Sequence, residues 1–238
     1  MVNVPVITKR ELSAYFLSPI AYVMLTCFAL AQGIFFAVNM RAQIDPDMTA
    51  EAVLRMPVFL LLLAIPILTM RLLSEETYHG TIETLMTTPV SEAEVVIGKF
   101  LGAMTFAVVM LAPVLAQVLF VRTLGPLDAG PLLAGFLGLL LLTGQFIAVG
   151  MLCSAFTRIQ VASAIVAFVA LLGLVLVGFI GRDSQASLVL ALQYLSPIRQ
   201  YYDFPRGVVD TRAGAYFVIT TASFLFLTVK ALELRKWR

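Results

Sequence analysis

Charge is scarce in this sequence. Asp, Glu, Lys and Arg make up 13% of its 238 residues, against about 25% in an ordinary soluble domain. There is one histidine, one tryptophan and two cysteines, and the net charge is only +2. Each shortage excludes something. So small a charge gives no basic field to hold a nucleic acid, and none is expected as a partner. Cys27 and Cys153 lie inside apolar runs without metal-ligand spacing, so they read as polarizable packing residues rather than a disulfide framework. His79 is solitary, so no metal site is expected. Gly98-Lys99 lacks the upstream glycine and the following Ser/Thr of a phosphate loop, and neither G-x-S-x-G nor H-E-x-x-H occurs. No catalytic residue and no cofactor bound by this chain are expected.

Hydrophobic residues are present in excess, at 61%, with a mean hydropathy of +0.98. One compact core could not hide so much apolar surface, so the solvent of this chain is lipid. Charged residues cut it into uncharged runs at 12–40, 56–70, 100–121, 129–157, 159–181, 184–198 and 213–229. A spanning helix needs about 20 apolar residues. Run 56–70 falls short, but Arg55 and Arg71 at its ends can snorkel, and Pro57 and Pro66 fit its start and a kink. Run 184–198 is too short and polar to cross and reads as an interfacial or re-entrant helix. The expected fold is therefore all-α, with six spans near 19–38, 53–72, 98–121, 131–155, 160–181 and 213–232. They form one transmembrane domain over 1–238 with no globular extramembrane part. Ala29-Leu30-Ala31 resembles a leader cleavage site, but the uncharged stretch from Leu12 to Met40 is too long for a leader's apolar region, so it is read as a span.

An even number of spans puts both termini on one side. With the termini cytoplasmic, inner segments hold nine Lys/Arg and outer ones seven; all four lysines fall inside and all six aspartates outside. The tail Arg235-Lys236-Trp237-Arg238 then serves as a basic anchor with an interfacial aromatic. Residues 4–18 place Leu12, Tyr15 and Phe16 on one helical face beside Lys9, Arg10 and Glu11, which predicts a short helix in the interface. The alternative is a frayed start of the first span.

The segment between spans two and three, residues 71–100, is the least ordinary. It carries five glutamates and the histidine. Gly80-Thr81 can end one helical turn and cap a short helix that Pro89 stops. Ser91 and Glu94 form an S-x-x-E capping box flanked by Val90 and Val95, so span three starts at Ser91, before the bilayer. Two capping signals in so short a stretch point to a docking element, the alternative being a solvated acidic loop.

Glu75-Glu76, Gly80-Thr81-Ile82-Glu83-Thr84-Leu85, Thr88-Pro89-Val90-Ser91 and Gly98-Lys99 together resemble the signature of type-2 ABC transporter permeases. Lys9-Arg10-Glu11, Tyr15-Phe16 and Ser18-Pro19 are similar to that family's opening elbow. Leu195-Ser196-Pro197, with Phe204 and Gly207-Val208-Val209-Asp210, is similar to its outer region between spans five and six. Among subgroups the likeness is to compact permeases of gliding-motility and copper-enzyme-maturation systems.

The resemblance implies an inner-membrane, multi-pass subunit that pairs with a second permease copy or a related chain. A cytoplasmic ABC ATPase would bring ATP and Mg. Residues 75–89 would be the coupling helix, with Glu75, Glu76 and Glu83 facing basic groups of the ATPase and His79, Gly80, Thr81 and Pro89 shaping the segment. The elbow would be Lys9, Arg10, Glu11, Tyr15 and Phe16. Tyr194, Pro197, Tyr201, Phe204 and Gly207 would belong to outer re-entrant helices at headgroup level, beside membrane lipid. Two functions stay open: coupling ATP hydrolysis to export or conformational work, or passing ATPase motion to a periplasmic or membrane accessory protein without moving a solute.

Within the spans no interior Asp, Glu, Lys or Arg is expected, which argues against a proton-coupled carrier. Gln117, Thr143, Gln145 and Ser154 can hydrogen-bond between helices or line a path. Gly98-x-x-x-Gly102 with Ala103 and Ala107 allows close helix contact, within the chain or across a dimer.

Overall fold

The structure is a computed structural model describing residues 3–42, 46–78, 91–124, 129–179 and 193–236. The described residues are helical, without strands. In chain order the helices are α1 (Val4–Leu17), α2 (Pro19–Ala42), α3 (Pro46–Thr69), α4 (Ser74–Tyr78), α5 (Glu92–Met110), α6 (Ala112–Leu124), α7 (Ala129–Phe156), α8 (Gln160–Val177), α9 (Pro197–Tyr201) and α10 (Thr211–Lys236). A single 3-10 turn covers Phe204–Arg206.

Six stretches are long and apolar enough to cross a bilayer: Pro19–Met40, Val53–Glu76, Glu92–Thr123, Gly130–Phe156, Gln160–Val177 and Thr211–Leu234. Each overlaps one expected span. Pro66 does not interrupt α3, which runs on to Thr69. The third span is two helices, α5 and α6, joined at Leu111. Pro113 lacks an N–H to continue the ladder, and the break falls there.

Helix α7 is central. Residues 142–150 are buried on every face, as expected of a helix that is apolar all round. Around it small residues set the spacing of the bundle. A Cβ on Gly150 would come within 3.0 Å of three atoms of the Thr69 side chain, so α3 crosses α7 there at close range. Three of the four polar span residues join helices. Gln32 donates to Gln117 at 2.9 Å, Gln145 donates to Tyr216 at 3.2 Å, and Ser154 holds the chain beyond α3. Thr143 instead bonds to Leu139 of its own helix.

The opposite end of the bundle from α1 and α4 is closed by α9 and the 3-10 turn. Tyr201 donates to the Leu54 carbonyl at 2.7 Å, and Phe204 is fully buried against Gly138. Tyr216 donates to the Leu195 carbonyl at 2.6 Å. Pro197 is buried, whereas Tyr194 is exposed beneath the Arg199 guanidinium. Gly207 has φ +84°, a left-handed conformation that glycine adopts without a Cβ penalty, and it turns the chain beside Pro131. Arg55 lies over the Tyr202 ring at 4.8 Å. The expected helix in run 184–198 lies mostly outside the described residues.

Candidate functional site

The site is built where α1, α4 and the first turns of α5 meet. Ser91 starts α5 through a complete capping box: its Oγ accepts from Glu94 N, and the Glu94 carboxylate accepts from Ser91 N, each at 3.3 Å. From Glu92 to Thr123 the third span has 32 residues, roughly 48 Å at 1.5 Å per residue. That exceeds a hydrocarbon core of about 30 Å, so the span has length to spare. Helix α1 packs along α5 from Gly98 to Phe106.

Contact follows a stripe of small residues. A Cβ on Gly98 would meet Ile7 at 2.8 Å, and one on Gly102 would meet the Glu11 Cβ at 2.9 Å. Thr8 donates to the Gly98 carbonyl at 3.2 Å. One turn further, Phe106 stacks on Tyr15 at 5.1 Å and meets Phe16 edge-on at 5.7 Å. Residue numbers rise together along both helices, so they run in the same direction. The glycine pair therefore packs within the chain, against α1. Ser18 is extended, as a residue before proline prefers. It ends α1 before α2 begins, so residues 4–17 form a helix of their own rather than a frayed start of the first span.

Lys99 sits on the same stripe and is 2% exposed. Its Nζ lies 2.9 Å from Glu11 Oε1 of α1 and 2.9 Å from Glu76 Oε1 of α4. Arg10 reaches the same two carboxylates at 3.3 Å from the exposed side. Two cations and two anions thus close a neutral cluster over three elements, with its ammonium at the centre. Removing one partner from such a buried group leaves a desolvated charge, so the geometry holds the elements together. Lys99 lies within the helix of the third span, so the expected absence of charge inside the spans has a buried exception at this end.

A second set of contacts fixes the turn after α3. Tyr15 is buried and donates to the Leu68 carbonyl at 3.1 Å, while Arg71 lies 4.3 Å above its ring. Burial raises the Tyr15 phenol well above its ordinary pKa, against the opposing pull of Arg71, so it is a neutral donor. Ser154, at the end of α7, accepts from Leu73 N at 3.1 Å and Ser74 N at 3.0 Å and donates to the Met70 carbonyl at 3.2 Å. Arg71, expected from sequence to snorkel, rests its guanidinium on the Tyr15 ring.

Of the residues singled out by sequence, Arg10, Glu11, Tyr15, Phe16 and Glu76 come together here. Lys9 and Glu75 are exposed, and Glu76 is engaged inside the chain by Lys99 and Arg10. His79, Gly80, Thr81, Glu83, Val90 and Pro89, with the expected coupling helix, lie outside the described residues. Lys99 was missed as a site residue. Its signal was present: with the capping box at Ser91, Lys99 falls on the same helical face as Gly102 and Phe106, and a lysine on a packed face requires a carboxylate.

The sequence matches the profile of the ABC-2 family transporter proteins over residues 12–232. The chain belongs to this family. It is a membrane permease subunit, multi-pass and all-helical. No protein with curated annotation matches it. The family profile reaches into every spanning helix of the permease, and the charge cluster lies toward the Ser91 end of the third.

Proposed function

We propose that this permease couples ATP hydrolysis by a separate cytoplasmic ATPase to export or conformational work across the inner membrane, through residues 79–90. The Lys99 cluster carries the reading. Helices α4 and α5 flank residues 79–90 in the chain, and both are fastened to the same ionic centre, Glu76 on one side and Lys99 on the other. A load applied to residues 79–90 then reaches α1 through Glu11, α7 through the Ser154 contacts, α3 through the bond from Tyr15 to Leu68, and α5 directly. A stiff junction suits that work, because displacement passes between packed elements only when they move as bodies. The ATPase binds this end, which makes it cytoplasmic and puts both termini inside. In the segment itself Glu83 faces the ATPase, while α1 acts as the elbow. A second permease copy or related chain completes the transporter.

The test is purification of the tagged permease from native membranes, followed by ATPase measurement and an ATP-dependent spin-label signal at exposed Val166. The reading predicts that an ABC ATPase co-purifies. The triple variant Glu11→Gln, Glu76→Gln, Lys99→Met should keep the ATPase bound but lose the ATP-dependent signal. Absence of any ATPase under gentle detergent conditions overturns the coupling reading. An unchanged signal in the triple variant overturns the role given to the cluster. If ATP hydrolysis responds only to a further co-purified protein and never to a solute, the work is delivered to that protein.

A further inference from the structure

Beside the charge cluster, a cavity of about 240 Å³ opens between α1, α2, the end of α3 and the start of α8. Its floor is buried: Tyr15, Ala21 and Leu68 are each no more than 3% exposed. Its exposed lining residues are apolar Ile20 and Ile67, on the first two spans, and the charged Glu75. The polar groups lie at one edge: Arg71, Glu75, Ser18 and Gln160. That edge is where α3 has just ended and α2 is about to begin. Apolar residues of two spans on one side and charge on the other suit the headgroup end of one phospholipid.

The two charges select the headgroup. Among the described residues no carboxylate lies within ion-pair distance of Arg71; its contacts are the Tyr15 ring and the Ala14 carbonyl at 3.5 Å. A guanidinium so placed retains hydrogen-bond donors that match a phosphate. Glu75, on the same cavity wall, disfavours a purely anionic headgroup and can accept from a primary ammonium. We propose that this cavity seats the headgroup end of a resident phospholipid with an ethanolamine headgroup, its phosphate on Arg71 and its ammonium on Glu75. One acyl chain runs past Met24 and Ile67. A choline headgroup has no N–H to donate, and a glycerol headgroup lacks the positive charge.

The experiment reconstitutes the purified permease in nanodiscs of equal ethanolamine, glycerol and choline phospholipids. Retained lipid is then read by native mass spectrometry after detergent extraction. Wild type should retain the ethanolamine lipid preferentially. Glu75→Gln should lower that preference by roughly tenfold, the size of one charge-assisted hydrogen bond, while still holding lipid. Arg71→Gln should lose the lipid, and because Arg71 also packs on Tyr15, Met24→Trp provides a second variant that fills the acyl slot without touching the charges. Met24→Trp should lose the lipid as well. The proposal fails if Met24→Trp retains the wild-type lipid complement, or if Glu75→Gln leaves the headgroup preference unchanged. It also fails if free phosphoethanolamine binds while the intact lipid does not.

Discussion

Replacing Lys99 by methionine isolates the energetic claim behind the cluster. The side chain is 3% exposed, and its two partners, Glu11 and Glu76, are 13% and 15% exposed. Methionine keeps the volume but leaves two carboxylates facing each other across a site shielded from water. Breaking a buried ion pair from one side costs about 3–5 kcal/mol. Arg10 remains within 3.3 Å of both acids, but it is 58% exposed, and such a pair returns at most about 1 kcal/mol. The net loss is therefore about 3 kcal/mol, which for a chain of this size lowers Tm by roughly 6–12 °C. Thermal unfolding in matched micelles measures it. The triple variant that also carries Glu11→Gln and Glu76→Gln removes the uncompensated charges and should recover most of the loss, since neutral replacement of a whole buried ionic group is often nearly neutral. Lys99→Met melting within about 1 °C of wild type, or a triple variant less stable than the single one, would refute the reasoning.

Three further outcomes are expected. Gly102→Ala places a Cβ 2.9 Å from the Glu11 Cβ and should cost about 1–3 kcal/mol by prising α1 from α5; Gly173→Ala, with nothing within 4 Å, should be neutral or slightly stabilising in the same melting assay. Ser154→Ala removes the acceptor of Leu73 N and Ser74 N, and should lower stability by about 2 kcal/mol and speed amide exchange at those two positions; unchanged exchange would refute the assignment. Alkaline pH tests the two buried phenols. Burial raises Tyr15 and Tyr201 above the ordinary tyrosine pKa, so the fold favours their neutral forms. Their contribution is present below about pH 10 and is lost as pH rises above it, because only the unfolded chain then releases the protons. Tyr15→Phe with Tyr201→Phe should flatten the fall in Tm above pH 10, and an unchanged slope would count against their burial as its source.

What could be read in the sequence was what depends on length or on near neighbours. An uncharged run long enough to cross hydrocarbon must become a helix, because lipid offers no partner for backbone polar groups, and this placed five of the six spans; the second, with a shorter run, was placed by the arginines at its ends. Ser91 and Glu94 are three residues apart, so their reciprocal cap is local, and the bond between Ser18 and Pro19 restricts the chain without reference to anything distant. The charge cluster belongs to another class. Lys99 pairs with Glu11, 88 residues away, and with Glu76. Sequence shows three ordinary interfacial charges, and only the packing of α1 into the Gly98 and Gly102 stripe brings them to 2.9 Å and removes the water around them. The same holds for Arg71, whose resting place on the Tyr15 ring exists only once α1 is packed beside the end of α3. Sequence alone determined that this chain is a six-span membrane helix bundle, because solvent and covalent neighbours dictate it. Tertiary structure decided which charges meet, because the energy of a charge depends on what replaces its water.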